Sequence, residues 1–279
     1  MMSADSMAIV CAALSALVFV EFPKVNGQVQ MLDMAPNCFD DQYIDCADKM
    51  EKVITASGLL KQEMDFNQDF KNQWSKAKEA WAQKKKTGKM PPLPQGFKEE
   101  YGMALLTYTG TDIHKQFNNA VRVGSQSRDH YMERFLFKSL HFYMTRALQL
   151  LRKSCRTSLQ VVYRGVRSIR FVPPSGSEKR IRYGQFTSIS LDKSTASAFG
   201  TDTFFTIRTC FGVQIANFSL FPTESEVLSP ANEVFTVSAY TEAGHKLVLN
   251  STQRTCSKYN CTYLGDFNLI NQSEQFVVD

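Results

Sequence analysis

Leu159-Gln-Val-Val-Tyr-Arg-Gly-Val166 is the stretch at which the chain changes its grammar. It is a short β-branched and aromatic run closed by glycine, and it reads as a strand. Downstream, Gly184–Leu191, Thr203–Cys210, Gln214–Phe221, Glu226–Leu228, Glu233–Tyr240 and His245–Leu249 repeat that pattern between turn residues. Upstream the period is different. Phe70, Trp74, Ala77 and Trp81 recur at helical spacing and share one face, as do Ile44, Ala47, Met50 and Ile54. Met90–Gly96 is a proline-rich loop, and further helices are predicted at about 97–108, 112–122 and 129–153. The last offers Phe135, Leu136, Tyr143, Leu148 and Leu151 to a core. A helical part over about 40–153 followed by a β part over about 157–265 implies an α+β fold. The short connection around Cys155 suggests that both pack as a single domain, residues 28–279.

The bulk properties narrow the class. With 279 residues, 43% hydrophobic and 21% charged, the chain is an ordinary globular protein. Its net charge of +5 is spread out, and the one tight run, Lys84-Lys85-Lys86, reads as a solvated helix end and not as a nucleic-acid surface. Met7–Val20 is apolar but short for a bilayer span and is followed by small residues, so residues 1–27 read as a secretory signal peptide. Cys11 would leave with it. The six remaining cysteines, at 38, 46, 155, 210, 256 and 261, suit three disulfides in an oxidising compartment. Asn217, Asn250, Asn260 and Asn271 head N-glycosylation sequons, in agreement with secretion. The polar run to Asp279 encodes no membrane or lipid anchor, so release into the extracellular fluid is expected. His114, His130, His141 and His245 show no ligand spacing, and no metal is expected.

Three segments of the β part carry chemistry. Val161–Val166 puts Arg164 and Gly165 at the end of an apolar strand. Tyr183–Leu191 contains Ser188 and Ser190, which strand alternation places on one face. Phe221–Leu228 is a proline-marked turn that carries Glu224 and Glu226 into a strand. Taken singly, each has an ordinary reading: a surface ion pair, a common strand pattern, a solvated acidic face. The order Arg, Ser-x-Ser, Glu-x-Glu is much more specific.

In that order the segments resemble the arginine–serine–glutamate signature of the vertebrate ecto-ADP-ribosyltransferases, which are related to arginine-modifying bacterial toxins. Phe39–Tyr43, Phe142–Leu148, Gly184–Ser188 and Tyr259–Cys261 also resemble family segments, so the similarity covers roughly residues 38 to 265. The resemblance implies a helical part packed on a two-sheet β-core, with NAD, the co-substrate, in the cleft between. It implies catalytic positions at Arg164, Ser188, Glu224 and Glu226. A guanidinium suits the pyrophosphate, so Arg164 would hold the dinucleotide while Gly165 lets the backbone approach. Glu226 would stabilise the cation-like ribose formed as nicotinamide leaves, oriented by Ser188. Glu224 would pair with an acceptor arginine, whose pKa is above about 12, and accept its proton. Phe199 is expected to stack on nicotinamide, with Phe204 as the alternative. The family's disulfides suggest Cys46–Cys261 and Cys155–Cys210, which leaves Cys38–Cys256.

The expected activity is transfer of ADP-ribose to arginine side chains of extracellular or secretory-pathway proteins, with release of nicotinamide. Two alternatives stand beside it: an NAD glycohydrolase, in which water replaces arginine, and an inactive secreted binding protein of the same fold. Ile189, between the serines, replaces a small polar residue common in the family. Alternation turns its side chain to the opposite face.

Overall fold

The computed structural model describes residues 28–111, 113–155, 159–177 and 179–265. The expected signal peptide and Asn271 lie outside the described residues.

Seven helices form one layer: α1 (Ala47–Ser57), α2 (Leu59–Phe66), α3 (Gln68–Lys86), α4 (Glu99–Tyr108), α5 (Ile113–Val123), α6 (Arg128–Arg134) and α7 (Lys138–Leu151). Asn67 caps α3 by accepting from the Phe70 amide at 3.0 Å, and Phe70, Trp74, Ala77 and Trp81 are buried along one stripe. α1 begins three residues later than its periodicity suggests. Tyr43 and Asp45 have positive φ, which a right-handed helix does not admit, and Ile44 is 45% exposed. The single helix expected over 129–153 is broken in two. Ser127 caps α6, and the buried Glu63 carboxylate caps α7 from outside, accepting from the amides of Lys138 and Ser139. Phe135 and Phe137 turn inward at the break, while Leu136 is 37% exposed and adds little to the core.

The strands are β1 (Gln28–Met31), β2 (Gln160–Val166), β3 (Ile169–Val172), β4 (Arg180–Ile181), β5 (Thr187–Ser190), β6 (Thr203–Thr209), β7 (Val213–Gln214), β8 (Glu226–Ser229), β9 (Glu233–Thr241) and β10 (Lys246–Thr255), with α8 (Lys193–Ala198) between β5 and β6. Eight strands lie in the order β4-β9-β10-β6-β2-β5-β8-β7, and β1 pairs with β3 in a separate small sheet. β2 pairs with β6 along its whole length but meets β5 at one position, Tyr163 opposite Ser190. That single pair divides the sheet into a five-strand and a three-strand half. Ile189 and Val227 of the smaller half pack with Val162, Phe205, Ile207, Leu247 and Leu249 of the larger. On its other face, Leu228, Val213 and the adjoining Phe186 join the helical core. The smaller half is therefore the middle layer, packed on both faces.

The strand expected over Gln214–Phe221 is mostly absent. β7 stops at Gln214 and a 3-10 turn, Ala216–Phe218, follows, because Ile215 and Phe218 both bury toward the helices.

Disulfides join Cys46 to Cys261 and Cys155 to Cys210. The third expected pair is not formed: Cys38 and Cys256 are free thiols. The Arg182 guanidinium contacts both segments. It pairs with Asp40 at 2.6 Å, donates to the Cys256 carbonyl and lies 3.5 Å from the Cys38 sulfur. Burial pushes the Cys38 thiol up to about 12, which leaves it little thiolate for exchange. Among the expected glycan positions, Asn217 is exposed and Asn250 is half-buried. Asn260 is already engaged, accepting from the Ile44 amide and donating to its carbonyl through the nitrogen a glycan would take. Among the described residues no helix is long and apolar enough to cross a membrane.

Candidate active site

The site forms where the two sheet halves part. Arg164 lies beside the single β2–β5 pair and donates to the Ser188 carbonyl. On β5 and β8, Ser188 pairs with Leu228 and Ser190 with Glu226, so the two serines and Glu226 share the helix-facing side of the middle layer. Ile189 points the other way, into the inter-sheet core. A cleft of about 600 Å³ opens here, and Arg164, Gly165, Ser188, Phe199, Glu224 and Glu226 all line it. The volume is that of a nucleotide-sized site.

The two glutamates are held differently. Glu226 is 6% exposed, and burial raises its carboxyl above the ordinary carboxylate range. Hydrogen bonds from Ser188 and Ser219 and the charge of Arg164 oppose that rise, while Glu224 adds to it. Glu224 is half-exposed, and partial burial raises its carboxyl too. Between them Ser225 takes a left-handed conformation, φ 49°, which turns the 3-10 segment Pro222–Glu224 into β8. Ser190 fastens this turn: its hydroxyl donates to the Glu224 carbonyl at 2.7 Å and accepts from the Asp192 amide at 3.0 Å. The Leu191 amide adds a bond to the Ser225 carbonyl. The second serine of the Ser-x-Ser pair thus positions the upstream acid.

Gly165 has a structural reason beside the one expected. A Cβ there would stand 2.2 Å from the carbonyl oxygens of Ala196 and Gly200, so the missing side chain admits α8, not only a ligand. α8 was not legible as a helix. Asp192 caps it by accepting from the Thr195 amide at 2.6 Å, and it ends at Phe199, 55% exposed at the cleft. The alternative, Phe204, packs against Tyr163 on β2 and does not line the cleft.

Tyr108, Asn118 and Ser219 escaped the sequence reading. The Tyr108 hydroxyl at the end of α4 donates to the Phe186 carbonyl, accepts from Asn118 and lies 3.4 Å from the Ser188 hydroxyl. Nothing in sequence distinguishes it from a core aromatic. Among the described residues no group of three or more His, Cys, Asp or Glu side chains could hold a metal ion.

A cleft of this size that brings a guanidinium and a buried carboxylate together suits an enzyme acting on a phosphate-bearing substrate. The chain belongs to the NAD:arginine ADP-ribosyltransferase family, whose pattern it matches over residues 32–257. It is 44% identical over 251 residues to ecto-ADP-ribosyltransferase 5 of Bos taurus, covering 88% of this chain and 78% of that protein. To GPI-linked NAD(P)(+)--arginine ADP-ribosyltransferase 1 of Mus musculus it is 42% identical over 250 residues, 87% and 76% of the two chains. The crystal structure of the eucaryotic mono-ADP-ribosyltransferase ART2.2 matches with a TM-score of 0.73 at 40% identity, over 84% of this chain and 99% of that one. A variant of ART2.2 in complex with NADH matches with a TM-score of 0.72. The fold is the ADP-ribosyltransferase fold, and the activity is transfer of ADP-ribose from NAD to arginine.

Proposed function

We propose that Arg164, Ser188, Glu226 and Glu224 divide this reaction among them, and that its acceptors are arginines of extracellular or secretory-pathway proteins. The observation that carries the reading is the pairing of a buried Glu226 beside Ser188 and Arg164 with a more exposed Glu224 two residues upstream. Arg164 holds the pyrophosphate by its planar donor fork. The bond between nicotinamide and the ribose C1′ breaks with its electron pair leaving on nicotinamide, and positive charge grows on the ribose. Glu226, fixed by the hydroxyls of Ser188 and Ser219, stabilises that charge in a site largely shielded from water. Glu224 stands nearer solvent, where a protein arginine can reach it. Its raised pKa makes it a somewhat better base than an ordinary carboxylate for the guanidinium proton. The guanidine nitrogen then bonds to C1′. Phe199, exposed at the end of α8, supplies an apolar face for nicotinamide.

Secretion is part of the proposal, supported by the cystines and by the names of the ecto-enzymes it resembles. Incubation of purified protein with biotinylated NAD and secreted proteins, followed by mass-spectrometric mapping, tests the acceptor class. ADP-ribose on arginine supports the reading, and labelling confined to other residue types contradicts it. Hydrolysis of NAD is expected as a slower side reaction when no acceptor fills the place beside Glu224.

A further inference from the structure

Basic residues occur all along the chain, yet α3 and the turn after it hold a marked excess. From Phe70 to Lys89 there are seven lysines and one acid, Glu79, an imbalance greater than the +5 of the whole chain. The apolar stripe of α3 faces the core, so the lysines are turned outward, and they gather at its C-terminal end. Lys78, Lys85, Lys86 and Lys89 are exposed and Lys84 is half-buried. A Schellman turn closes the helix: the Lys89 amide bonds to the Lys84 carbonyl at 3.1 Å and the Gly88 amide to the Lys85 carbonyl at 3.3 Å, with Gly88 at φ 64°. That turn folds Lys89 back beside the last helical residues. The Thr87 hydroxyl donates to the Gln83 carbonyl at 2.9 Å, so these carbonyls are met without any lysine serving as a cap. Lys85 pairs with Glu99 at 2.6 Å, an ion pair in which both partners are exposed and well screened. Among the described residues no hydrogen bond or ion pair engages the side chains of Lys78, Lys84, Lys86 or Lys89. Like charges gathered this closely repel one another, and an anionic polymer laid across them relieves the repulsion.

We infer that the end of α3 is a docking surface for a linear sulfated polysaccharide of the glycosaminoglycan class. The inference rests on the proposal that the chain is secreted, since that polyanion lies outside cells. Lysine ammoniums are compact charges on flexible stems, which suits sulfates spaced along a polymer better than one rigid anion. Two other polyanions fit less well. A single-stranded nucleic acid stacks its bases on aromatic side chains, and here Trp74 and Trp81 are buried. An anionic bilayer needs an apolar face beside the lysines, whereas Leu93 is the one large apolar side chain exposed between Asn67 and Gln95. The strongly negative leaflet also faces the cytoplasm. The Lys85–Glu99 pair fixes the surface at the start of α4, and Tyr108 at the other end of that helix lines the catalytic cleft. The rise of α4 sets the two about 14 Å apart along its axis. A bound polymer therefore leaves the cleft open and holds the enzyme where protein acceptors are displayed.

The experiment is a titration of the purified whole protein with heparin at about 0.15 M salt, where exposed charges more than about 8 Å apart are largely screened. A Kd on the order of 10 μM is expected, rising steeply with added salt as bound counterions are released. The triple variant Lys84→Gln, Lys86→Gln, Lys89→Gln should bind at least roughly tenfold more weakly. The control Lys52→Gln, Lys179→Gln, Lys246→Gln removes the same charge from exposed lysines elsewhere and should change the affinity less than about twofold. Both variants should keep the wild-type melting temperature and rate of nicotinamide release, which separates this surface from the catalytic site. Four results overturn the inference: no binding of heparin at this salt; equal weakening by the control, which makes the effect one of net charge; desulfated heparin binding as tightly as heparin; or phosphatidylserine vesicles competing with heparin at equal charge. Secretion is read separately, from wild-type protein recovered in the culture medium. Recovery only inside the producing cells would overturn the inference by removing the partner, whatever heparin does in the titration.

Discussion

Glu226 carries the largest chemical demand of any side chain in the cleft. Its pKa is raised by burial, so it loses its proton only above the ordinary carboxylate value of about 4.3. Two outcomes follow from the sign. NAD cleavage, which needs the ionised form, should fall away on the acid side at a pH above that of a free glutamate, as a pH–rate profile would show. Stability runs the other way. A raised folded-state pKa contributes stability below the unfolded value and loses it as pH rises through the folded one. Glu226→Gln should therefore unfold at a temperature no lower than wild type at pH 7, yet lose at least about a hundredfold in NAD cleavage. Thermal unfolding and nicotinamide release measure the two halves. The four polar positions of the site were legible because each sits in a strand or turn whose alternation survives in sequence. Tyr108, Asn118 and Ser219 were not, because their place depends on how helices dock on the middle layer.

At the scale of elements, α8 and α7 show what holds the site in place. Gly165 lets α8 lie against β2, and both atoms that a Cβ would strike are backbone oxygens, which cannot rotate away. Gly165→Ala should cost about 1–3 kcal/mol, lower the melting temperature by several degrees and weaken NAD binding, since Phe199 directly follows α8 as its C-cap. Calorimetry with and without NAD checks this. α7 starts on Glu63, whose carboxyl is raised from 4.5 to about 7, burial outweighing the bonds from the amides of Ser139 and Lys138. Its contribution is full below pH 4.5 and declines as pH rises through about 7, a change of about 3 kcal/mol. Glu63→Gln keeps an acceptor and removes the ionisation. Melting temperature should then depend less steeply on pH between 4.5 and 7 than in wild type; an unchanged slope would contradict the assignment. Helix period alone ran 129–153 together because the break is made by Glu63, more than sixty residues upstream, and no local signal marks it.

For the whole molecule, closure is the organising feature. The Cys46–Cys261 bond spans 215 residues and Cys155–Cys210 spans 55. Loop-closure entropy puts their upper contributions at about 5 and about 4 kcal/mol, so replacing the first pair by alanine should destabilise the protein more, as denaturant titration would reveal. The α+β division was plain in the change of period near Leu159. The layering was not: β2 and β5 touch at one residue pair, and that seam, which opens the cleft, has no sequence mark. The central claim is that residues from three distant segments act together there, with the two acids in separate roles. Its most direct test is nicotinamide release and ADP-ribosyl-agmatine formation, measured side by side for wild type, Glu224→Gln and Glu226→Gln. Wild type should form both products, with nicotinamide release accelerated by agmatine. Glu224→Gln should lose the agmatine product while still releasing nicotinamide, and Glu226→Gln should lose both. Agmatine transfer that survives in either variant at the wild-type rate would contradict the account.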